Sequence, residues 1–154
     1  MKGLNNMELL HKAELLVTYS TMQYADNPLY GSDWVMSLID EDGYPNASMI
    51  TAAKANGFQW IAFCTGTKAN KTLRAKRNSR TCVYLFDKES FTGISLIGQV
   101  EVSTDPELKK QVWYNELEDY FNGYTDEDLC VLLFKPEKYN IFIENTTIRG
   151  EFGK

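Results

Sequence analysis

Histidine is nearly missing from this 154-residue chain, in which His11 stands alone. A nucleophile triad built on imidazole, an H-E-x-x-H zinc site and any multi-histidine metal centre are thereby excluded. Cysteine is scarce too. Cys64, Cys82 and Cys130 are odd in number, far apart and without a C-x-x-C pair. That argues against a disulfide framework and against zinc, so no metal is expected. Their neighbours, AFCTG, RTCVYLF and DLCVLLF, read as strand sequence, and the three thiols are expected to be small buried hydrophobes. No run of about 18 apolar residues exists, so no membrane-spanning segment is expected. The opening MKGLNNMELLHKAELL alternates charge and leucine too finely for a signal-peptide core, which points to the cytoplasm.

Positive charge is also in deficit. Sixteen Lys and Arg against 21 Asp and Glu leave a formal net charge of -5. Nucleic-acid-binding domains are ordinarily basic and interleave aromatics with their charges, so no nucleic-acid partner is expected. One stretch runs the other way. TGTKANKTLRAKRNSR, residues 65–80, carries Lys68, Lys71, Arg74, Lys76, Arg77 and Arg80 with no acid and no aromatic. A locally basic segment on an acidic molecule suggests that an anion is held there.

A chain of this length is most simply one domain, spanning 1–154. A first helix is expected over 6–21, ended by a break at Pro28 and Gly31. From Trp34 onward the pattern becomes short strands separated by turn signals. The expected strands are 34–40, 46–53, 58–65, 80–87, 93–103, 130–136 and 139–144. A short helix is expected over 70–78. A longer one is expected over 105–121, where Asp105 supplies an N-cap and Pro106 the first helical position. Seven strands joined mostly by tight turns, with three helices, predict a mainly β fold: an antiparallel barrel carrying peripheral helices.

Phosphate binding calls for N–H donors, positive charge and a helix N-terminus. TGTKANKT offers hydroxyls at Thr65 and Thr67, a flexible Gly66, and then Asn70, Lys71 and Thr72 opening a helix. It is not a P-loop, because G-x-x-x-x-G-K-S/T needs a second glycine where Asn70 stands. The outer residues Arg74, Lys76, Arg77 and Arg80 read as a solvated helix face. A second candidate is GYPNASMI, whose small Ala47 and Ser48 would let a flat ring lie against the strand backbone.

Taken together, DGYPNASMI, IAFCTGTKANKTLRAKRNSRTCVYLFD, ISLIGQVEVSTDPELKKQVW and CVLLFKPEKYNIF resemble the pyridoxamine 5'-phosphate oxidase-like flavoproteins, in particular their general-stress-protein-like branch. The resemblance covers roughly residues 34–143. It implies an FMN-binding split β-barrel, a homodimer with the cofactor at the subunit interface, and a flavin-dependent oxidoreductase acting on an unknown small substrate. It matches Lys71 to the lysine that meets the FMN phosphate and Thr65 to the strand-end residue near the phosphate and ribityl chain. Ser48, Met49 and Ile50 match the strand whose backbone faces the isoalloxazine ring. Thr67 and Asn70 fall within the same cofactor-binding segments, while catalytic residues stay unassigned. The full oxidases carry Arg-Lys where this chain has Asn70-Lys71, and their flavin-contacting glutamine falls on Gly93. The alternative is a non-catalytic stress or sensor protein that binds a flavin or a related cofactor, haem or the deazaflavin F420.

Overall fold

The computed structural model describes residues 3–26 and 31–153, so Pro28 of the expected break lies outside the described residues. Helix α1 (Asn6–Tyr19) begins where the Asn5 side chain accepts from the Glu8 N–H at 2.9 Å, and it ends two residues before the expected limit. Seven strands follow: β1 (Asp33–Ile39), β2 (Pro45–Asn56), β3 (Trp60–Gly66), β4 (Arg80–Asp87), β5 (Thr92–Ser103), β6 (Leu129–Ile143) and β7 (Thr146–Glu151). Between them lie helices α2 (Asn70–Arg77) and α3 (Pro106–Val112). The sheet runs β3-β2-β1-β4-β5-β6-β7, and β3 also pairs with β6. Six antiparallel strands therefore close into a barrel, with β7 added outside on β6.

Alternation along the strands sends one row of side chains inward. Trp34, Met36 and Leu38 of β1 join Phe63, Val83, Leu85, Ile94, Leu96, Phe134 and Ile141 in a fully buried interior. Leu9, Ala13 and Val17 of α1 close one end of it. The indole Trp34 Nε1 donates to the Ser20 carbonyl at 2.8 Å, so its single polar atom is not lost to burial. A second cluster lies outside β3 and β6, where Val112 and Leu117 pack on Ala53, Ala62, Cys64, Leu129 and Val131.

Three elements differ from the sequence expectation, each for a local reason. The expected helix 105–121 starts as read, with the Asp105 carboxylate accepting from the Leu108 N–H at 3.2 Å. It stops at Val112 because Trp113 and Tyr114 turn extended to lay their rings on the second cluster, and a 3-10 turn covers Asn115–Asp119. Packing overrides helix propensity there. The two strands expected over 130–136 and 139–144 are one, β6, running straight through Pro136. Pro136 sits opposite Gly98 where the β5–β6 register shifts between Ile97 and Gly98, and a bulge is where a strand tolerates a missing N–H. The seventh strand is instead β7, reached by a tight turn in which Glu144 and Asn145 both hold positive φ, 50° and 56°. That is a primed hairpin turn without the Asn-Gly signature that makes such turns legible.

Candidate cofactor site at the split

The barrel is not sealed along β2. This strand pairs with β3 only from Ala52↔Phe63 to Asn56↔Trp60, with a bulge between Ala52 and Lys54. Its first half, from Pro45 to Thr51, has β1 on one side and, among the described residues, no strand on the other. The end of β3, from Cys64 to Gly66, pairs with β6 alone. The two strands thus part into a cleft with two lips.

One lip carries Ser48, Met49 and Ile50. Ser48 and Met49 are exposed, and Ile50 turns partly onto the barrel core opposite Trp34. The other lip carries Thr65 at the end of β3, Thr67 in the turn, and Asn70 and Lys71 in the first turn of α2. The structure thus groups these four on one strand-turn-helix segment and leaves the other three on the part of β2 that β3 does not pair. The turn is held firmly. Thr67 N–H donates to the Asp128 carbonyl at 2.8 Å, Ala69 N–H to the Gly66 carbonyl at 3.2 Å, and buried Thr72 Oγ1 to that same carbonyl at 2.6 Å.

Helix α2 has no side-chain cap, because its N-cap residue is Ala69. Its leading N–H groups are therefore left for an outside acceptor. Lys71 stands among them partly buried, and among the described residues its ammonium makes no hydrogen bond or ion pair. Burial, and after it the nearby Arg74, holds its pKa below the ordinary lysine value. The Thr65 and Thr67 hydroxyls are likewise without partners among the described residues.

Of the four outer basic residues expected to be a solvated face, Arg74 and Arg77 are instead paired. Arg74 Nε meets Glu41 Oε1 at 3.2 Å, and Arg77 reaches the same carboxylate at 3.2 Å. Glu41 lies in the β1–β2 turn, so these pairs tie α2 to the hairpin that carries the free lip. Its own backbone N–H, then both guanidinium groups, hold the Glu41 carboxyl below the usual range. A further buttress escaped sequence reasoning. Buried Lys109 of α3 donates through Nζ to the Asp126 carbonyl at 2.7 Å, and the Asp126 carboxylate accepts from the Asp128 N–H at 2.9 Å. Asp128 is the residue whose carbonyl holds Thr67. No periodicity announces this role, because Lys109 sits in an ordinary helical pattern.

The thiols divide. Cys64 and Cys130 are buried as expected, but Cys82 is only half-buried on the outer sheet face, its Sγ 3.3 Å from Ser95 Oγ. Burial, then the neighbouring Cys130, pushes Cys64 up to about 12. A native-state titration with a thiol reagent at pH 8 is therefore expected to modify Cys82 first, with Cys64 and Cys130 reacting only on unfolding. The raised Cys64 pKa contributes stability that is complete below about pH 9 and is lost as pH climbs toward 12. The loss proceeds at up to about 1.4 kcal/mol per pH unit. A Cys64→Ala variant should show a flatter alkaline limb in a melting-temperature series; an unchanged slope would refute this assignment.

Outside the barrel, the sheet presents an uncovered row of Met49, Val35, Tyr84 and Ser95, in cross-strand register. A neighbouring row holds Ala47, Ser37, Cys82 and Ile97. Met49 is 59% and Phe86 46% exposed, so this face is apolar and open.

With this geometry in place, three comparisons bear on the chain. Residues 34–142 match the sequence family described as Pyridoxamine 5'-phosphate oxidase. No curated protein matches the chain. The fold is similar to that of a Clostridium acetobutylicum protein related to general stress protein 26, of the pyridoxinephosphate oxidase family. The TM-score there is 0.77 at 24% identity, over 96% of this chain and 97% of that one. A pyridoxamine 5'-phosphate oxidase-related, FMN binding protein from Nostoc punctiforme aligns with TM-score 0.67 at 11% identity, over 96% and 91%. A heme binding protein from Mycobacterium smegmatis gives TM-score 0.67 at 15% identity, over 90% of this chain and 57% of that one. Among the described residues no helix is long and apolar enough to cross a membrane.

Proposed function

Since the chain belongs to the pyridoxamine 5'-phosphate oxidase family, we propose that it is an FMN-binding flavoprotein, a homodimeric flavin-dependent oxidoreductase acting on a small molecule. The observation that carries this reading is the lip from Thr65 to Lys71. Among the described residues an ammonium without a counter-ion, two unpartnered hydroxyls and the uncapped start of α2 stand on this one segment, and the donor set suits a phosphate. It offers haem iron no imidazole, since the only histidine is His11, exposed on α1. In this reading Lys71 with Thr65 and Thr67 grips the phosphate, and Asn70 adds its N–H. Ser48, Met49 and Ile50 form a flat wall for the isoalloxazine ring. When bound, FMN supplies hydride or electron transfer, and the protein supplies binding, orientation and exclusion of water.

The open apolar face containing Met49, Val35, Tyr84 and Ile97 supports the dimer. A surface of this kind is ordinarily covered by a partner, and here it borders the flavin wall through Met49 itself. Titration of the purified chain with FMN is expected to quench flavin fluorescence at micromolar concentration, and riboflavin, lacking the phosphate, is expected to bind more weakly. Sedimentation equilibrium should return about 35 kDa, twice the 17.6 kDa of one chain. Unquenched FMN would overturn the cofactor assignment, and a 17.6 kDa species would overturn the dimer.

A further inference from the structure

The phosphate lip is tied down from behind, and the tie begins at Lys109 on α3. Its side chain is buried, 6% exposed, although the neighbouring Lys110 is open to solvent. Among the described residues Lys109 forms no salt bridge. Burying an ammonium with no carboxylate against it is costly, and methionine would fill the same space without that cost. What such a methionine would lack is the hydrogen bond, which goes to one atom: Nζ donates to the Asp126 carbonyl at 2.7 Å. Asp126 is the hub of the turn that enters β6. Its carbonyl also accepts from the Leu129 N–H at 3.1 Å, and Leu129 is the register partner of Gly66. Its carboxylate accepts from the Asn122 N–H through Oδ2 and from the Asp128 N–H through Oδ1, each at 2.9 Å. The Asp128 carbonyl, placed by that bond, accepts from the Thr67 N–H at 2.8 Å.

A continuous run of hydrogen bonds thus joins a buried cation on α3 to the backbone of the lip, with the 122–128 turn between them. Donor geometry at a binding site depends on the groups that orient the donors, even when those groups touch no ligand. We propose that Lys109 is a positioning residue of the cofactor site. Through the 122–128 turn it holds the Thr65–Lys71 segment in the shape that receives a phosphate, and so contributes to a preference for FMN over a flavin without phosphate. Lys109 itself contacts no part of the flavin. Its tie to the turn stands on the hydrogen bonds alone, while its effect on phosphate rests on the FMN reading above.

Lys109→Met keeps the buried stem and removes the donor. In the flavin-free chain, amide hydrogen exchange at Thr67 should quicken by roughly tenfold or more, as a local opening, while the slowest amides of the barrel keep their rates. FMN should bind roughly tenfold more weakly and riboflavin less than about twofold, the lower end of what outer-shell partners cost at metal sites. Asp126→Ala, at a half-buried position, cuts the next link and should reproduce the pattern. Because both changes act through one turn, the double variant should lose little more FMN affinity than the weaker-binding single variant. Val112→Ala is the comparison for packing. It opens a cavity on the same helix and should lower the melting temperature without moving the ratio of FMN to riboflavin affinity. Thr67 exchange at the parent rate in Lys109→Met, or losses that simply add in the double variant, overturns the proposal. So does equal weakening of FMN and riboflavin. A parent chain that binds no FMN overturns the cofactor reading and the phosphate role with it, and Thr67 exchange then still decides whether Lys109 holds the turn.

Discussion

Gly98→Ala is expected to cost at least about 3 kcal/mol, the upper end of what overpacking does, and to lower the melting temperature by roughly 6–12 °C. In most strands the same change is neutral or favourable, since alanine loses less backbone entropy on folding. Here a β-carbon would stand 2.1 Å from the Lys135 carbonyl oxygen, 2.9 Å from Pro136 Cα and 3.0 Å from Glu137 N. All three are backbone atoms of β6, so no rotamer change relieves the contact. Only separation of β5 from β6 does, and that is the seam where the register shifts and the strand carries its proline. Gly93→Ala is the control. Its β-carbon would meet Tyr84 Oη at 2.4 Å, but that atom ends a partly exposed side chain that can swing away. Its cost is expected to stay below about 1 kcal/mol. Thermal melts of the two variants decide the matter: a Gly98→Ala melt within about 2 °C of the parent removes the close-approach argument.

This seam also shows where sequence reasoning stops. Turn residues and alternating apolar positions were enough to find β1 to β5, because each is bounded by local signals such as EDG or KANG. The same logic makes Pro136 a boundary. That failed because Gly98, thirty-eight residues upstream in the register, had already made room for it. The β7 strand has no local signal, because its turn places Glu144, a residue type that seldom takes positive φ, beside Asn145 where a glycine would mark the hairpin. The site divides in the same way. The Thr65–Lys71 lip is contiguous in sequence, and its missing acids made it conspicuous. Glu41 lies 33 residues from Arg74 and 36 from Arg77, so its pairing with them had no sequence signal. Nor does anything in the sequence of a hairpin reveal that β2 and β3 part beyond Ala52 to open the cleft.

Lys71→Ala is expected to weaken FMN binding by roughly 10- to 150-fold, the loss of one hydrogen bond to a charged group worth about 1.5–3 kcal/mol. Among the described residues Lys71 makes no ion pair, whereas Arg74 and Arg77 are engaged by Glu41. The effect should therefore be specific to the phosphate. Riboflavin affinity should change by less than about threefold, and Lys71→Arg should restore much of the FMN affinity. The pH dependence follows from the depressed pKa. Burial disfavours the ammonium in the cofactor-free protein, so its charge opposes folding below that pKa and the penalty fades as pH rises through it. Removing the side chain should accordingly leave cofactor-free stability unchanged or slightly improved. Binding has the opposite sign: phosphate favours the charged form, so FMN affinity should decline as pH rises, beginning below the range where an ordinary lysine titrates. In Lys71→Ala that alkaline decline should be absent. Fluorescence titrations with FMN and riboflavin across pH, alongside thermal melts of the cofactor-free chain, read all of these. A variant that melts early and loses both flavins alike would make Lys71 a structural residue and leave the phosphate to other groups.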